Sequence, residues 1–463
     1  MPWHRESSAL LRVDPMFLWT VVSDLSQWSR WCAGLAETRP GSDASLVDLV
    51  PAGPVGAVHR LTAPPARVVV SVVPRRLVLE QPQPGGVCRV TWDLEPQDDG
   101  LVRFRQRVEV TGPLTLAAVR GLGLPLSRTF HDDVVRLHGL LADRGKARPA
   151  ADALNVVIAG GSGSLGRRLG SDLLCRGHDV VVLTRRVDPS LPLRQAEWDG
   201  RTVGPWVDVL RTPGRTAIVN LAGRLVDVRP TPANVASLRD SRVRSTRALV
   251  EASLGLPAPV ASWLQASTSA IYGDAGDQRC DETTPVPTDP RQALPQMTGV
   301  ARPWEEEFVG AHTDHGIILR TSLVLDRDAP VMRRLVDLTR AGLGGPIGDG
   351  RQWVSWIHIE DWLAIARAGL GLDPDLRLPA GVVIAASDHP VRNGELMAEL
   401  RRRLHRPWAP STPALLARIG AVALRTDPAL GLTGRHTTSA VLRDLGHTYR
   451  FPHLGEALDD VLG

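Results

Sequence analysis

The chain has 463 residues, 43% of them hydrophobic and 22% charged, with a net charge of +4. That length fits two or three globular domains, and that composition argues against collagen-like, disordered and disulfide-scaffold classes. No apolar run reaches the roughly 18 residues that span a bilayer, so stable membrane insertion is not expected.

The N-terminal residues lack the apolar core of a secretory signal, which makes the cytoplasm the expected compartment. Arginine supplies nearly all the positive charge, scattered along the chain, and Lys146 is the sole lysine. Without a basic run, a nucleic-acid partner is not expected. Cys32, Cys88, Cys175 and Cys280 form no C-x-x-C pair, so neither a metal site nor a disulfide framework is expected.

In chain order, Phe17 to Trp31 reads as one helix with Trp19, Val22, Trp28 and Trp31 as its apolar face. Arg67 to Val73, Leu77 to Glu80, Val87 to Leu94 and Leu101 to Val110 read as strands, the last three alternating apolar with polar residues. A long helix over Leu126 to Leu141 closes the segment. Helix, antiparallel meander and long helix together predict an α+β domain over residues 1–145, a curved sheet gripping a helix. Arg144 to Ala153 is small, polar and proline-containing, and residues 146–153 are taken as the linker.

From Leu154 the rhythm changes. Strands over Leu154 to Ala159, Asp179 to Thr184, Thr216 to Asn220 and Val260 to Ala266 alternate with helices over Ser164 to Arg176 and Ala233 to Ser253. This βαβ series predicts an α/β domain over residues 154–400, a Rossmann-type doubly wound parallel sheet. Residues 401–463 are expected to complete a C-terminal substrate lobe.

The first of these strands runs into Gly160, Gly163 and Gly166, spaced G-x-x-G-x-x-G, and then into a helix. The first glycine permits a tight turn, the second lets backbone amides approach a pyrophosphate, and the third lets the helix pack close to the sheet. Ser164 and Leu165 then begin a helix whose free amides and positive dipole face the phosphates. The second strand ends in Thr184-Arg185-Arg186, where an NAD site places a carboxylate. Two guanidinium groups suit a 2′-phosphate, so NADP(H) is the preferred cofactor and NAD(H) the alternative.

Two resemblances follow from longer stretches. Val21-Val22-Ser23-Asp24-Leu25-Ser26-Gln27-Trp28-Ser29-Arg30-Trp31 and Val108-Glu109-Val110-Thr111-Gly112-Pro113-Leu114 resemble the SRPBCC (START-like, polyketide cyclase/dehydrase-like) superfamily. That resemblance implies a helix-grip fold with a cavity for a small-molecule or apolar ligand. From 154 onward the chain resembles an atypical extended short-chain dehydrogenase/reductase, described as NAD-dependent epimerase/dehydratase-like with unknown substrates. The likeness rests on the Gly342 to Asp361 stretch with its Gly350-Arg351-Gln352-Trp353, on Asp240-Ser241-Arg242, on Trp304-Glu305, and on Phe451 to Leu458. It implies that Asn220, Ala222 and Gly223 lie under the adenosine half of the cofactor. It also implies that Thr268, at the end of the fifth strand, lies by the substrate carbonyl.

The chemistry of that superfamily needs a tyrosine with a lysine four residues later, the lysine lowering the phenol pKa. The two tyrosines here are Tyr272 and Tyr449, followed at that spacing by Gly276 and His453. A Tyr-x-x-x-Lys pair is therefore impossible. Two readings stay open: an oxidoreductase or epimerase that borrows Thr268, Tyr272 or His358 as donor, and a non-catalytic NADP(H)-dependent sensor coupled to a ligand of the N-terminal domain. Arg242, Arg351, Gln352 and His358 are candidates for holding an anionic substrate group, with His358 also readable as a satisfied loop histidine and Asp361 as the cap of a helix beginning at Trp362. The sequence carries no signal for oligomeric state.

Overall fold

The computed structural model describes residues 3–41, 45–53, 56, 64–83, 85–113, 115–406 and 408–462; Leu114, the last residue of one resemblance stretch, lies outside them. The first seven strands are β1 (Trp3–Arg12), β2 (Leu35–Pro40), β3 (Leu46–Pro51), β4 (Ala66–Val72), β5 (Arg76–Gln83), β6 (Gly86–Pro96) and β7 (Leu101–Thr111). They form one antiparallel sheet in the order β1-β7-β6-β5-β4-β3-β2. Its inner residues alternate along β6 and β7, and the helix Phe130–Asp143 seals the concave side with Phe130, Val134, Leu137 and Leu141. This is the helix-grip architecture. Aromatic rings fill its middle: Trp28 and Trp92 have centroids 4.4 Å apart, Trp31 and Phe104 6.4 Å, and Phe104 stacks on Phe130 at 6.0 Å.

The single helix expected over Phe17 to Trp31 is broken. Pro15–Val22 is helical, Leu25–Gln27 is a separate 3-10 turn, and Trp28–Trp31 is a second short helix. The cause is Asp24, whose carboxylate accepts from the Ser26 backbone amide, the Ser26 hydroxyl and the Gln27 side-chain amide. An Asp that can cap competes with the helix it would otherwise sit inside. The break turns Trp28 inward, where its indole donates to the Val22 carbonyl.

The second sheet is parallel throughout. Its strands β8 (Leu154–Ala159), β9 (Asp179–Thr184), β10 (Arg194–Glu197), β11 (Arg215–Asn220) and β12 (Ser262–Thr268) lie in the order β10-β9-β8-β11-β12, continued by Gly316–Thr321 and Gly381–Ala385. Every residue of β8 is buried, as a central strand covered on both faces requires. The strand order reverses between β8 and β11, which opens a crevice at the carboxyl ends of the strands. A smaller lobe packs the helix Asn393–Arg403, which runs through residue 400, against the C-terminal helix Leu454–Leu462.

The two sheets have their own cores, which meet where a helix of each domain packs together: Cys175 enters the N-terminal core, Val135 the other, and β1 also lies against the second domain's helix. Phe130–Asp143 lies on Ser164–Cys175, the helix that follows the glycine loop. Ser171 donates to the His131 carbonyl at 2.9 Å, and Arg167 pairs with Asp132 at 3.3 Å. The segment between the domains is held too: the Arg148 amide donates to the Arg12 carbonyl and the Ala150 amide to the Gly177 carbonyl.

Candidate functional site

Four neighbouring parallel strands deliver the expected cofactor residues to one edge. β8 ends at the glycine loop, β9 at Thr184-Arg185-Arg186, β11 at Asn220 to Gly223, and β12 at Thr268.

Within the loop the glycines differ in what demands them. Gly160 has φ +75°, and a Cβ there would stand 2.7 Å from the Leu221 carbonyl oxygen. Gly166 sits so close to the loop that a Cβ would meet the Gly161 Cα at 2.4 Å. Gly163 is different: its φ is −73°, open to any residue, and a Cβ would meet only the Gly160 oxygen at 3.4 Å. Nothing in the fold requires glycine there, whereas a pyrophosphate approaching the backbone does. Gly163 is also the N-cap of Ser164–Cys175 and provides no side-chain cap, so the first-turn amides of Ser164 and Leu165 are left for a ligand. The residues present therefore fit a dinucleotide.

At the end of β9, Thr184 Oγ1 donates to the Arg186 carbonyl, folding the turn that carries the two arginines. Both side chains are exposed, and among the described residues neither guanidinium has a protein partner. Arg167 steadies this corner. It donates to the Ser162 carbonyl of the glycine loop at 3.1 Å and to Asp188 at 3.1 Å, besides Asp132 of the N-terminal domain.

Asn220 is fully buried. Its amide donates to Thr246 Oγ1 and Gln265 Oε1, and its oxygen accepts from the Ala222 amide, which fixes the turn through Gly223. A Cβ on Gly223 would meet the Arg242 guanidinium carbon at 3.0 Å. Arg242 lies under this loop, donating to the Leu238 and Arg224 carbonyls and standing over the Trp304 ring at 5.1 Å. Among the described residues no carboxylate pairs with it, and burial lowers its pKa to about 10.

Thr268 is half-buried at the strand end, where its Oγ1 accepts from the Ala270 amide at 3.1 Å and keeps its own proton to donate. Tyr272, one turn later, is committed elsewhere. Its hydroxyl donates to the Asp281 carbonyl at 2.5 Å and accepts from Arg320 at 2.8 Å. Burial pushes its pKa up to about 12, only partly offset by the Arg320 charge. The Arg320 guanidinium is in turn held by Glu305 through two bonds, at 2.9 and 2.7 Å, and Glu305 also accepts from Ser267. Tyr272 thus belongs to a buried network in which its hydroxyl is engaged on both sides.

In the helix Thr298–Glu306, Thr298 and Arg302 stand four residues apart, the spacing of a Tyr/Lys pair. The Thr298 hydroxyl donates to the Ile271 carbonyl, and Arg302 to the Val286 and Pro287 carbonyls, so neither is free for proton transfer.

Two of the substrate-lobe residues, His358 and Gln352, are likewise engaged within the fold. His358 is fully buried; its Nδ1 accepts from the Glu360 amide as the N-cap of Ile359–Gly369, and its Nε2 lies 3.2 Å from Asp460. The cap expected at Asp361 therefore belongs to His358, while Asp361 accepts from the Arg450 and Phe451 amides. The Gln352 amide nitrogen is used between the Ile347 and Gly431 carbonyls. Arg351 remains exposed.

Arg435 was not foreseen. It reaches from the C-terminal lobe to the Gly273 carbonyl at 2.9 Å, with Thr433 and Met297 as further neighbours, and burial lowers its pKa to about 10. Among the described residues no group of three or more His, Cys, Asp or Glu is arranged to hold a metal ion.

A family model described as the NAD dependent epimerase/dehydratase family matches residues 156–370, and one described as polyketide cyclase / dehydrase and lipid transport matches residues 3–137. An epimerase family protein of Mycobacterium bovis is 30% identical over 305 residues, covering 65% of this chain and 96% of that protein. The chloroplastic homologue of SDR39U1 in Arabidopsis thaliana is 28% identical over 318 residues, 67% of this chain and 87% of that protein. Among solved structures, human SDR39U1 (isoform 2) with NADPH is 26% identical, covers 66% of this chain and 98% of its own, and superposes with a TM-score of 0.56. A nucleoside-diphosphate sugar epimerase from Corynebacterium glutamicum, 23% identical, covers 99% of this chain and 90% of its own at a TM-score of 0.59, a likeness of fold that extends over both domains.

Proposed function

Because this chain belongs to the NAD-dependent epimerase/dehydratase family, we propose that it is an NADP(H)-dependent oxidoreductase or epimerase acting on a small molecule at Thr268. The observation that carries the proposal is Gly163, whose missing side chain answers no packing need. The open guanidinium groups of Arg185 and Arg186 favour the 2′-phosphorylated cofactor, and the NADPH in the human relative's structure supports the same choice. NAD(H) is the weaker alternative.

Gly160, Gly163, Ser164, Leu165 and Gly166 would hold the pyrophosphate, Arg185 and Arg186 the 2′-phosphate, and Asn220, Ala222 and Gly223 the adenosine side. When bound, the nicotinamide supplies or accepts a hydride. The chain's own contribution is a hydrogen bond from the Thr268 hydroxyl to a substrate oxygen as negative charge develops on it. In a closed site one such donor is worth about 3 kcal/mol. Arg242, a half-buried cation with no carboxylate partner among the described residues, is the candidate to receive an anionic group, with exposed Arg351 as a second.

A non-catalytic sensor reading is favoured by one observation: Thr298, Arg302 and Tyr272 are all tied to the protein framework. The two readings separate in one assay. NADPH-loaded protein is mixed with a panel of aldehydes and ketones while the reduced-nicotinamide absorbance is followed. Loss of absorbance in the wild type, and its disappearance in Thr268→Val, is the expected result. Stable absorbance across the panel, with no stereochemical inversion of any compound and with ligand-dependent changes in NADPH affinity, would favour the sensor, since an epimerase returns its hydride and leaves the absorbance unchanged.

A further inference from the structure

The C-terminal lobe carries a helix whose polarity is inverted. Ala414–Ala423 turns Leu415, Leu416, Ile419 and Val422 to solvent, at a spacing that makes one stripe. Leu415 is 68% exposed and Val422 59%, whereas the inward side consists of small residues, with Ala421 buried and Ala417 and Gly420 half-buried. A surface helix of a soluble protein does the opposite. Leu424 just beyond the helix and Trp408 before it are exposed as well, the latter by 75%.

The helix is nonetheless held firmly at both ends. The Thr412 amide donates to the Pro346 carbonyl, and Arg229 donates to the Val422 carbonyl at 2.8 Å. Arg229 lies on the segment that follows the Asn220 to Gly223 turn, so this bond ties the helix to the Rossmann-type domain.

The sequence around the stripe is rich in arginine, of which Arg402 and Arg403 pair with Glu399 and Arg403 also with Asp459. Residues 400–426 contain six arginines and no aspartate or glutamate. Arg406, Arg418 and Arg425 are exposed and, among the described residues, have no ion-pair partner. The nearest acids are already engaged: Asp227 pairs with Arg334 and accepts from Thr426, and Asp427 is buried.

We infer that this face docks on an anionic lipid bilayer. A bulky apolar stripe, an exposed tryptophan and unpaired arginines form the set that lies in the headgroup region of such a surface. The stripe is one helix of ten residues, about 15 Å long, narrow against the roughly 800 Å² per partner of a stable protein interface. Among the described residues no helix is long and apolar enough to cross the membrane, so the contact is peripheral.

The test is cosedimentation of the full-length protein with vesicles of phosphatidylcholine, with and without phosphatidylglycerol, at low and high salt. Binding to the anionic vesicles at low salt, at least about tenfold above the neutral ones, is expected, with loss at high salt. Arg418→Gln and Arg425→Gln should each weaken it about fivefold. Ile419→Asp should abolish it, with circular dichroism and NADPH affinity unchanged as controls on folding. Absence of vesicle binding, or binding indifferent to these three substitutions, would overturn the inference. So would a concentration-dependent dimer abolished by Ile419→Asp in protein that ignores vesicles, since the face would then be a subunit interface.

Discussion

Replacing Gly163 by valine is expected to remove NADPH binding while leaving the fold in place. The backbone there, φ −73° and ψ 168°, is one that valine adopts freely, and the added Cβ meets only the Gly160 oxygen at 3.4 Å. The loss to the free protein is that of a poorer N-cap, about 0.5–1 kcal/mol, or about 1–4 °C in Tm for a domain of this size. The bound cofactor meets a different obstacle, because the isopropyl group occupies the space through which the pyrophosphate reaches the Ser164 and Leu165 amides. Hydrogen bonds to a charged group contribute about 1.5–3 kcal/mol each, so losing two raises Kd by at least about 100-fold. Gly166→Ala is the contrasting case. Its Cβ would lie 2.4 Å from the Gly161 Cα and 2.8 Å from the Gly160 oxygen, so backbone must move. The expected cost is toward the upper end of the roughly 1–3 kcal/mol of overpacking. Fluorescence titration with NADPH and thermal melts of the two variants separate the roles. A folded Gly163→Val protein that binds NADPH within about threefold of the wild type would refute the reasoning, as would one that melts as early as Gly166→Ala.

Thr268→Val keeps shape but removes the donor, and is expected to lower kcat about 100-fold. Tyr272→Phe instead leaves an Arg320 donor unpaired and should lower stability by about 1–3 kcal/mol while kcat changes little; steady-state kinetics and melts that rank the variants the other way would contradict this. Asp133, buried between the Ala33 amide and the Thr129 hydroxyl, has its pKa raised to about 7 by burial, so the folded state holds a proton that the unfolded state has released. Its contribution to stability is full below about pH 4 and is lost as pH rises through about 7. The melting temperature of Asp133→Asn relative to wild type should therefore rise across that window, and a flat difference would refute the assignment. Asp132→Asn frees one of the three anchors of Arg167 and should weaken NADPH binding a few-fold, by about 1 kcal/mol for such a half-exposed pair, with little change in melting; an unchanged Kd would mean that the N-terminal domain does not steady the cofactor loop.

The cofactor edge was legible in the sequence because its signals are local. A strand, a glycine triplet and a helix start lie within a dozen residues, and the arginine pair replaces a carboxylate at the end of the next strand. The missing Tyr/Lys pair was legible by counting two tyrosines and one lysine. What escaped depends on distant partners. Tyr272 reads as a phenol near the site until Arg320 and the Asp281 carbonyl take its oxygen. His358 and Asp361 both lie at a helix start, and which one caps it is decided by Arg450 and Phe451, some 90 residues later, claiming Asp361. Arg435 reaches Gly273 across 162 positions, with no periodicity to announce it. In the N-terminal domain the tryptophan spacing suggested one helix, but the Asp24 carboxylate offered the Ser26 amide an acceptor outside the helix and broke it.

The central claim, a dinucleotide site built for the 2′-phosphorylated cofactor, is tested most directly by calorimetric titration of the full chain with NADPH and with NADH. The account predicts NADPH tighter by at least about tenfold, a preference erased in the Arg185→Ala, Arg186→Ala double variant while NADH affinity stays the same. Equal affinities for the two cofactors in the wild type, or a preference that survives loss of both arginines, would contradict it.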